Sequence, residues 1–260
     1  MQISQIYDHE VLFDYLLQDR IGSAYQLGYL DPVYGEYCQW YGSLSDSGEL
    51  EAVLLVYKGL SVPAVLAFGT DLGLDALLRS VTPNLPDRFY VHIASAQLSL
   101  LSSKFAVSGL KKMVRMAILR EQYRPFPRSM EVVRIGHADT GALLMLYRQY
   151  PDNLFEPYQL ESGYYFGIRE NGKLVSVAGV HALSPKYGVA AIGNIVTDAS
   201  YRGQGLSTQC TSALVEALFE TVPLVTLNVE DTNQAARRTF EKLGFVDHSL
   251  FYQGIVNRSG

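Results

Sequence analysis

Cysteine, tryptophan and histidine are all scarce: the 260 residues include Cys 2, Trp 1 and His 5. Cys38 and Cys210 stand in no CxxC or CxH spacing, so neither a disulfide framework nor a structural zinc site is expected, and both read as buried thiols. The histidines (His9, His92, His137, His181, His248) never recur at the close spacing that sets two ligands on one helix or strand face, and no metal is expected. Long apolar runs are missing too. No stretch reaches the ~18–20 residues a membrane span needs, and residues 1–10 lack both the basic start and the apolar run of a signal peptide. A cytoplasmic protein without a membrane partner is the expectation. Positive charge is also in short supply, with Lys+Arg 21 against Asp+Glu 26 and a net charge of −5, so no global basic field attracts a phosphate backbone. Nucleic acid is not an expected partner.

What is present is a globular composition, 48% hydrophobic and 18% charged, able to bury a full core. Residues 123–129 place Pro125 and Pro127 between Arg124 and Arg128, which favours an extended connector over a helix or central strand. This divides the chain into domains at 1–128 and 129–260.

In the second half, 164–169 and 173–181 read as strands joined by Glu170-Asn171-Gly172, since Asn-Gly supplies the positive φ angles of a tight hairpin. A strand at 188–197 follows. A helix over 205–219 carries Cys210, Ala213, Leu214, Ala217 and Leu218 as an apolar stripe. Next come a strand at 224–229, a helix through Ala236, Phe240 and Leu243 with Lys242 and Gly244 as stop signals, and one or two strands over 245–256. The first half repeats the order more faintly: strands at 50–57 and 61–68, a helix at 72–80, a strand at 89–93, a helix at 96–105 and a strand at 111–118, preceded by a helical region over 11–30. The halves therefore read as structural repeats, with no residue-level identity behind the reading.

The most informative stretch runs from Ile192 to Ser207. A strand ends at Thr197, and a turn leads into Arg202-Gly203-Gln204-Gly205-Leu206-Ser207 at the start of the striped helix. The first turn of a helix has N–H groups without internal partners, and glycine lets an anion approach the backbone closely. Arg202 adds positive charge. Neither G-x-x-x-x-G-K-[ST] nor G-x-G-x-x-G is present, so a P-loop and a dinucleotide fold are not supported.

Downstream lie Leu227-Asn228-Val229, then Asn233, Ala236, Phe240 and Glu241-Lys242-Leu243-Gly244-Phe245. Strand, R-x-x-G-x-(small), helix, strand and N-x-x-A-x-x-x-[YF]-x-x-x-G-F, in that order over about 164–252, resembles the GNAT superfamily of acyl-coenzyme A dependent N-acyltransferases. The resemblance implies an α/β (α+β) fold of two GNAT-like domains, each a mixed, mostly antiparallel sheet flanked by helices, with the amino-terminal one degenerate. It implies acetyl-CoA or another acyl-CoA as cosubstrate, with Gly203, Gln204, Gly205, Leu206 and Ser207 donating N–H groups to the coenzyme's pyrophosphate and Arg202 flanking it. It also implies main-chain pairing of Ile195, Val196 and Thr197 with the pantetheine arm, cofactor contacts from Asn228 and Asn233, and Phe240 near the thioester.

Two departures bear on chemistry. Phe240 stands where many members have a proton-donating tyrosine, and a phenyl ring donates no proton. Asn194 stands on the strand where several members have a glutamate base. An amide cannot serve as that base, although it can hold a water.

By that resemblance, a primary amine, on a small molecule or a peptide, attacks the thioester directly, with the N–H of Val196 stabilising the oxyanion and no acyl-enzyme at Cys210. Asn194 and Val196 are thus the catalytic candidates; His181, Tyr164, Tyr165 and Glu161 are further proton-transfer candidates. Lys111, Lys112, Arg115 and Arg120 read as a solvated strand face. Gly69-Thr70-Asp71-Leu72-Gly73 occupies the place of the phosphate loop in the first half, but Asp71 opposes an anion there. The two-domain layout resembles glycine N-acyltransferase-like proteins, which puts an amino acid first among acceptors. The rival readings are a noncatalytic acyl-CoA binding or sensing module and an interaction protein whose first half is a platform for a homodimer.

Overall fold

The structure is a computed structural model that describes residues 1–151 and 153–259. In chain order its strands and helices are β1 Gln2–Gln5, α1 His9–Leu16, α2 Ala24–Tyr29, β2 Cys38–Leu44, β3 Leu50–Tyr57, β4 Ala64–Gly69, α3 Asp71–Val81, β5 Arg88–Ile93, α4 Leu98–Ser102, β6 Phe105–Ala106 and β7 Lys111–Leu119. They continue with β8 Val133–Arg134, α5 Thr140–Tyr147, β9 Phe166–Glu170, β10 Lys173–Ser184, β11 Val189–Thr197, α6 Leu206–Leu218, β12 Leu224–Glu230, α7 Gln234–Leu243 and β13 Val246–Arg258.

Two compact units are present, but they do not divide after Arg128. The first is Met1–Arg115 together with the chain from His248 onward, and the second is Met116–Asp247. The carboxy-terminal strand belongs to the first unit because it pairs antiparallel with β5, Tyr252 opposite Ile93 through Asn257 opposite Arg88. The proline-containing segment lies inside the second unit, along α6. Tyr123 and Ser212 join hydroxyls at 2.7 Å, and the Phe126 N–H donates to Ser212 Oγ at 3.0 Å. The N–H groups of Ser129 and Met130 donate to Gln209 Oε1 at 2.8 and 3.2 Å. An extended segment cannot bond its own amides, so buried polar side chains of the helix do it. Consequently Thr208, Gln209, Thr211 and Ser212 are buried along with Cys210 and Leu214, and α6 has no single buried stripe.

In the first unit, strands run in the order β1-β2-β3-β4-β5-β13, with β6 beside β13. In the second the order is β12-β11-β10-β9-β8. Both sheets are mostly antiparallel, and both contain a strand, helix, parallel-strand crossover: β4-α3-β5 in one and β11-α6-β12 in the other. That shared order is the repeat expected from the sequence. The Asn-Gly hairpin forms as expected, with Asn171 at φ 49° and Gly172 at φ 79° between Glu170 and its partner Lys173.

Three local expectations are corrected. Residues 11–30 are not one helix, because the Asp19 carboxylate accepts the Gly22 N–H at 2.8 Å and closes a turn between α1 and α2. Residues 96–105 are not one helix: a 3-10 turn at Ser95–Gln97 leads into the short helix α4, and β6 begins at Phe105. Arg115 is 5% exposed rather than solvated, its guanidinium lying 5.1 Å from the Tyr25 ring centre and 5.0 Å from that of Phe251. Lys111 and Lys112 of the same run are exposed.

Gln209→Ala should leave the part-buried amides of Ser129 and Met130 without their side-chain acceptor and destabilise the protein by about 0.5–1.5 kcal/mol, the net worth of an ordinary hydrogen bond. The urea midpoint, measured at unchanged slope, checks this.

Candidate functional site

β11 is paired on both sides at its start and on one side at its end. It runs parallel to β12 from Val189 opposite Leu224 to Ile192 opposite Leu227, and there the pairing stops although both strands continue. On its other side it stays paired with β10 as far as Thr197 opposite Ser176. Residues 193–197 therefore have an edge that β12 has left, with Asn228 just past the point of parting.

The parting coincides with an irregularity. Val177 pairs with Val196 and Gly179 with Gly193, so β11 has one more residue than β10 between these pairs. The extra residue sits at Asn194, whose φ of 53° is left-handed, a conformation asparagine tolerates better than most residues. Beyond the bulge, the Asp198 N–H donates to the Val175 carbonyl at 2.8 Å. Main-chain groups alternate sides along an antiparallel ladder, so those of Val196 face β10, and those of Thr197 and Ile195 face the parted edge. The expected oxyanion contact from the Val196 N–H is corrected on this ground.

The Asn194 side chain is 6% exposed and fully engaged. Its Nδ2 donates to Gln159 Oε1 at 3.0 Å and to the Tyr165 hydroxyl at 2.7 Å, and its Oδ1 accepts from Asn153 Nδ2 at 3.0 Å. Its carbonyl accepts the Tyr147 hydroxyl at 2.9 Å. Burial raises the Tyr147 pKa well above the ordinary phenol value, which keeps that donor protonated. With both amide hydrogens committed, Asn194 has none to offer a catalytic water.

Where β11 ends, Asp198 fixes the chain. Its carboxylate accepts Lys173 Nζ at 2.6 Å, Gln149 Nε2 at 3.0 Å and the Ser200 N–H at 2.9 Å, and the Lys173 bond foremost holds it well below the ordinary carboxylate range. The turn then rises through Gly203 at φ 79° and Gly205 at φ 74° into α6. A Cβ on Gly203 would meet nothing within 4 Å, and one on Gly205 would come no nearer than 3.8 Å to the Phe126 ring. Glycine is needed there for backbone sign, and the space in front of it is open.

No side chain caps α6. Among the described residues, the N–H groups from Gly203 to Thr208 donate to no protein acceptor; the first bond of the helix start is Gln209 N–H to Gly205 carbonyl, 3.1 Å. The result is a run of unpaired donors at the positive end of a helix, which suits an anion. Arg202 is exposed, with Nη2 donating to the Tyr150 hydroxyl at 2.8 Å and Cζ 5.7 Å from that ring's centre. The Tyr150 hydroxyl in turn donates to the Thr197 carbonyl on the parted edge.

The remaining expected residues separate. Asn233 caps α7 through Oδ1, which accepts the Ala236 N–H at 3.1 Å, leaving its exposed Nδ2 without a protein acceptor among the described residues. Phe240 is 5% exposed and packs edge-on against Phe245, ring centres 6.0 Å apart. Cys210 is fully buried and its thiol is pushed up to about 12 by desolvation, which removes the thiolate a nucleophile needs. Tyr164 bonds the Thr221 hydroxyl at 2.7 Å, Glu161 is exposed, and Tyr165 belongs to the Asn194 network. His181 lies on a bulge of β10 against Gly193, where any Cβ would come within 1.9 Å of its Nε2. Sequence reasoning passed over Tyr147, Tyr150, Asn153 and Gln159. The first three fall at intervals of three, a spacing that could have marked one side of the chain after α5.

The first unit builds the matching turn differently. Thr70 Oγ1 accepts the Gly73 N–H at 3.1 Å and caps α3, and Asp71 adds a carboxylate bonded to Gln97 Nε2 at 3.1 Å. That helix start is closed to an anion.

Among the described residues no helix is long and apolar enough to cross a membrane, and no three His, Cys, Asp or Glu side chains group as metal ligands. Residues 129–245 match the profile of the Acetyltransferase (GNAT) family. No curated protein matches the sequence. Solved structures share the fold. A Drosophila protein is 14% identical with TM-score 0.73, covering 98% of each chain. A GCN5-related N-acetyltransferase from Kribbella flavida is 16% identical with TM-score 0.61, covering 93% of this chain and 95% of that one. A tandem GNAT protein from the clavulanic acid biosynthesis pathway is 13% identical with TM-score 0.58, covering 100% and 98%.

Burial lowers the His181 pKa from 6.5 to about 4. As pH falls through that window the unfolded chain takes up the proton first, so stability declines with acidity. His181→Gln should lose less stability than the parent between about pH 7 and pH 4.5, as read from urea midpoints.

Proposed function

We propose that the protein transfers an acetyl or other acyl group from its coenzyme A thioester to a primary amine, by direct attack and without an acyl-enzyme, a reading supported by the match of residues 129–245 to the profile of the Acetyltransferase (GNAT) family. The observation that carries this is the row of unpaired N–H groups from Gly203 to Thr208, set at the end of a strand whose neighbour has parted from it. A diphosphate offers the acceptor oxygens such a row lacks, and the left-handed glycines keep side chains out of its path. Arg202 flanks that position.

From there the extended arm of the coenzyme would follow the parted edge, using main-chain groups of Ile195 and Thr197, with Asn228 on the facing strand and the Asn233 Nδ2 as polar contacts. Orientation of the thioester against edge N–H groups, which stabilise charge developing on its carbonyl oxygen, is the chain's contribution to rate. Phe240 serves in this reading as packing that seats α7. The Tyr150 hydroxyl donates to the Thr197 carbonyl on this same edge, beside the path proposed for the arm. The acceptor class is a small amine, an amino acid or a protein amino group. The likeness of layout to glycine N-acyltransferase-like proteins makes amino acids the first to try.

A second reading, an acyl-CoA binder that transfers nothing, is favoured by two side chains that move no proton, Asn194 and Phe240. Titration calorimetry with acetyl-CoA followed by thiol release over a panel of amines and amino acids separates the cases. Release above background supports the transferase, binding without release supports the binder, and no binding overturns both. Gly205→Val should weaken acetyl-CoA binding at least about tenfold, whereas Cys210→Ala should leave turnover within a factor of about two.

A further inference from the structure

Asn194 combines features that a strand residue ordinarily lacks. It is buried, left-handed, and held through three side-chain bonds and one carbonyl bond by Asn153, Gln159, Tyr165 and Tyr147. The partners are themselves anchored. Asn153 Oδ1 accepts the Phe155 N–H at 2.9 Å, Gln159 Oε1 accepts the Glu156 N–H at 3.2 Å, and the Tyr165 hydroxyl reaches the Val180 carbonyl at 3.2 Å. None of these groups lies on the phosphate turn.

We infer that Asn194 is the positioning residue of the transfer site, its buried amide network locking the one-residue bulge that decides which main-chain amides of β11 face the thioester. The inference rests on the acyl-CoA reading above. A one-residue change of register exchanges the side on which every later main-chain group points. With the bulge in place, Ile195 and Thr197 present their N–H groups to the parted edge. Were the strand to relax to regular pairing, Val196 would take that side and its neighbours would turn to β10. Asparagine suits the position twice over, tolerating the left-handed angle and supplying an amide that gives two hydrogens and accepts one.

The test needs no acceptor substrate. Acetyl-CoA carrying 13C at the thioester carbonyl is bound to the full-length protein, and its carbonyl shift, which follows polarisation by main-chain N–H groups, is compared with that in water. Asn194→Gly retains the backbone angle and removes the network, while Gln159→Ala removes one support at a distance from the bound thioester. Both should still bind acetyl-CoA through the untouched phosphate turn, with affinity lowered by no more than about tenfold as the Ile195 and Thr197 contacts to the arm are lost, and both should lose at least about half of the bound-state carbonyl shift. The double variant should lose no more than the larger single loss, since the two act on one bulge. A parent-like shift in both single variants, or additive losses in the double variant, overturns the inference while leaving coenzyme binding standing. Failure of the parent itself to bind acetyl-CoA removes the reading beneath it.

Discussion

The parting of β11 from β12 after Ile192 and Leu227 is the constraint on which the chemistry proposed for the second unit depends. Two parallel strands that stayed paired to their ends would satisfy their own main-chain groups and leave no place for an extended ligand. Separation alone would expose those groups to water, in no particular register. Pairing with β10 continues past the parting, so the free edge is held rigid from behind, and the bulge at Asn194 chooses its phase. The Lys173–Asp198 pair and the Ser200 N–H then fix the exit of the strand, which aims the glycine turn and the bare start of α6 at the same side.

The first unit shows what the same topology becomes without these features. Its β4-α3-β5 crossover likewise pairs in parallel for only a short stretch, Ala64 opposite Tyr90 to Leu66 opposite His92, and β4 runs on to Gly69. There the side chain of Gln26 reaches the Ala67 carbonyl at 3.3 Å, Thr70 caps the helix, and Asp71 brings negative charge to its first turn. Each of these meets a need that a bound anion or an added strand would otherwise meet. The fold supplies the opening, and a few side chains decide whether it stays open.

Legibility in the sequence tracked the range of the physics. The Asn171-Gly172 turn, the Gly244 stop and the bare glycine-led start of α6 depend on backbone preferences of the residues themselves, and each stands in the structure where the sequence put it. The division after Arg128 differs from the compact units because prolines report an extended backbone and say nothing of what that backbone lies against; here Gln209 and Ser212 draw it onto α6. Val196 failed for a related reason. The side on which its N–H points depends on a register shift that no local pattern encodes.

By the resemblance in sequence Asn194 stands where an acid–base group is expected, and in the structure its amide is committed to a buried network around a left-handed residue. A glutamate at this position would bring a longer, charged side chain into a space where the present group must donate twice and accept once, facing Gln159 Oε1 and the Tyr165 hydroxyl. Burying that charge without cationic partners would cost more than the amide does. In the proposed transfer the amine would reach the thioester already deprotonated or lose its proton elsewhere; the His181 imidazole lies against Gly193, the first residue of β11 past the parting.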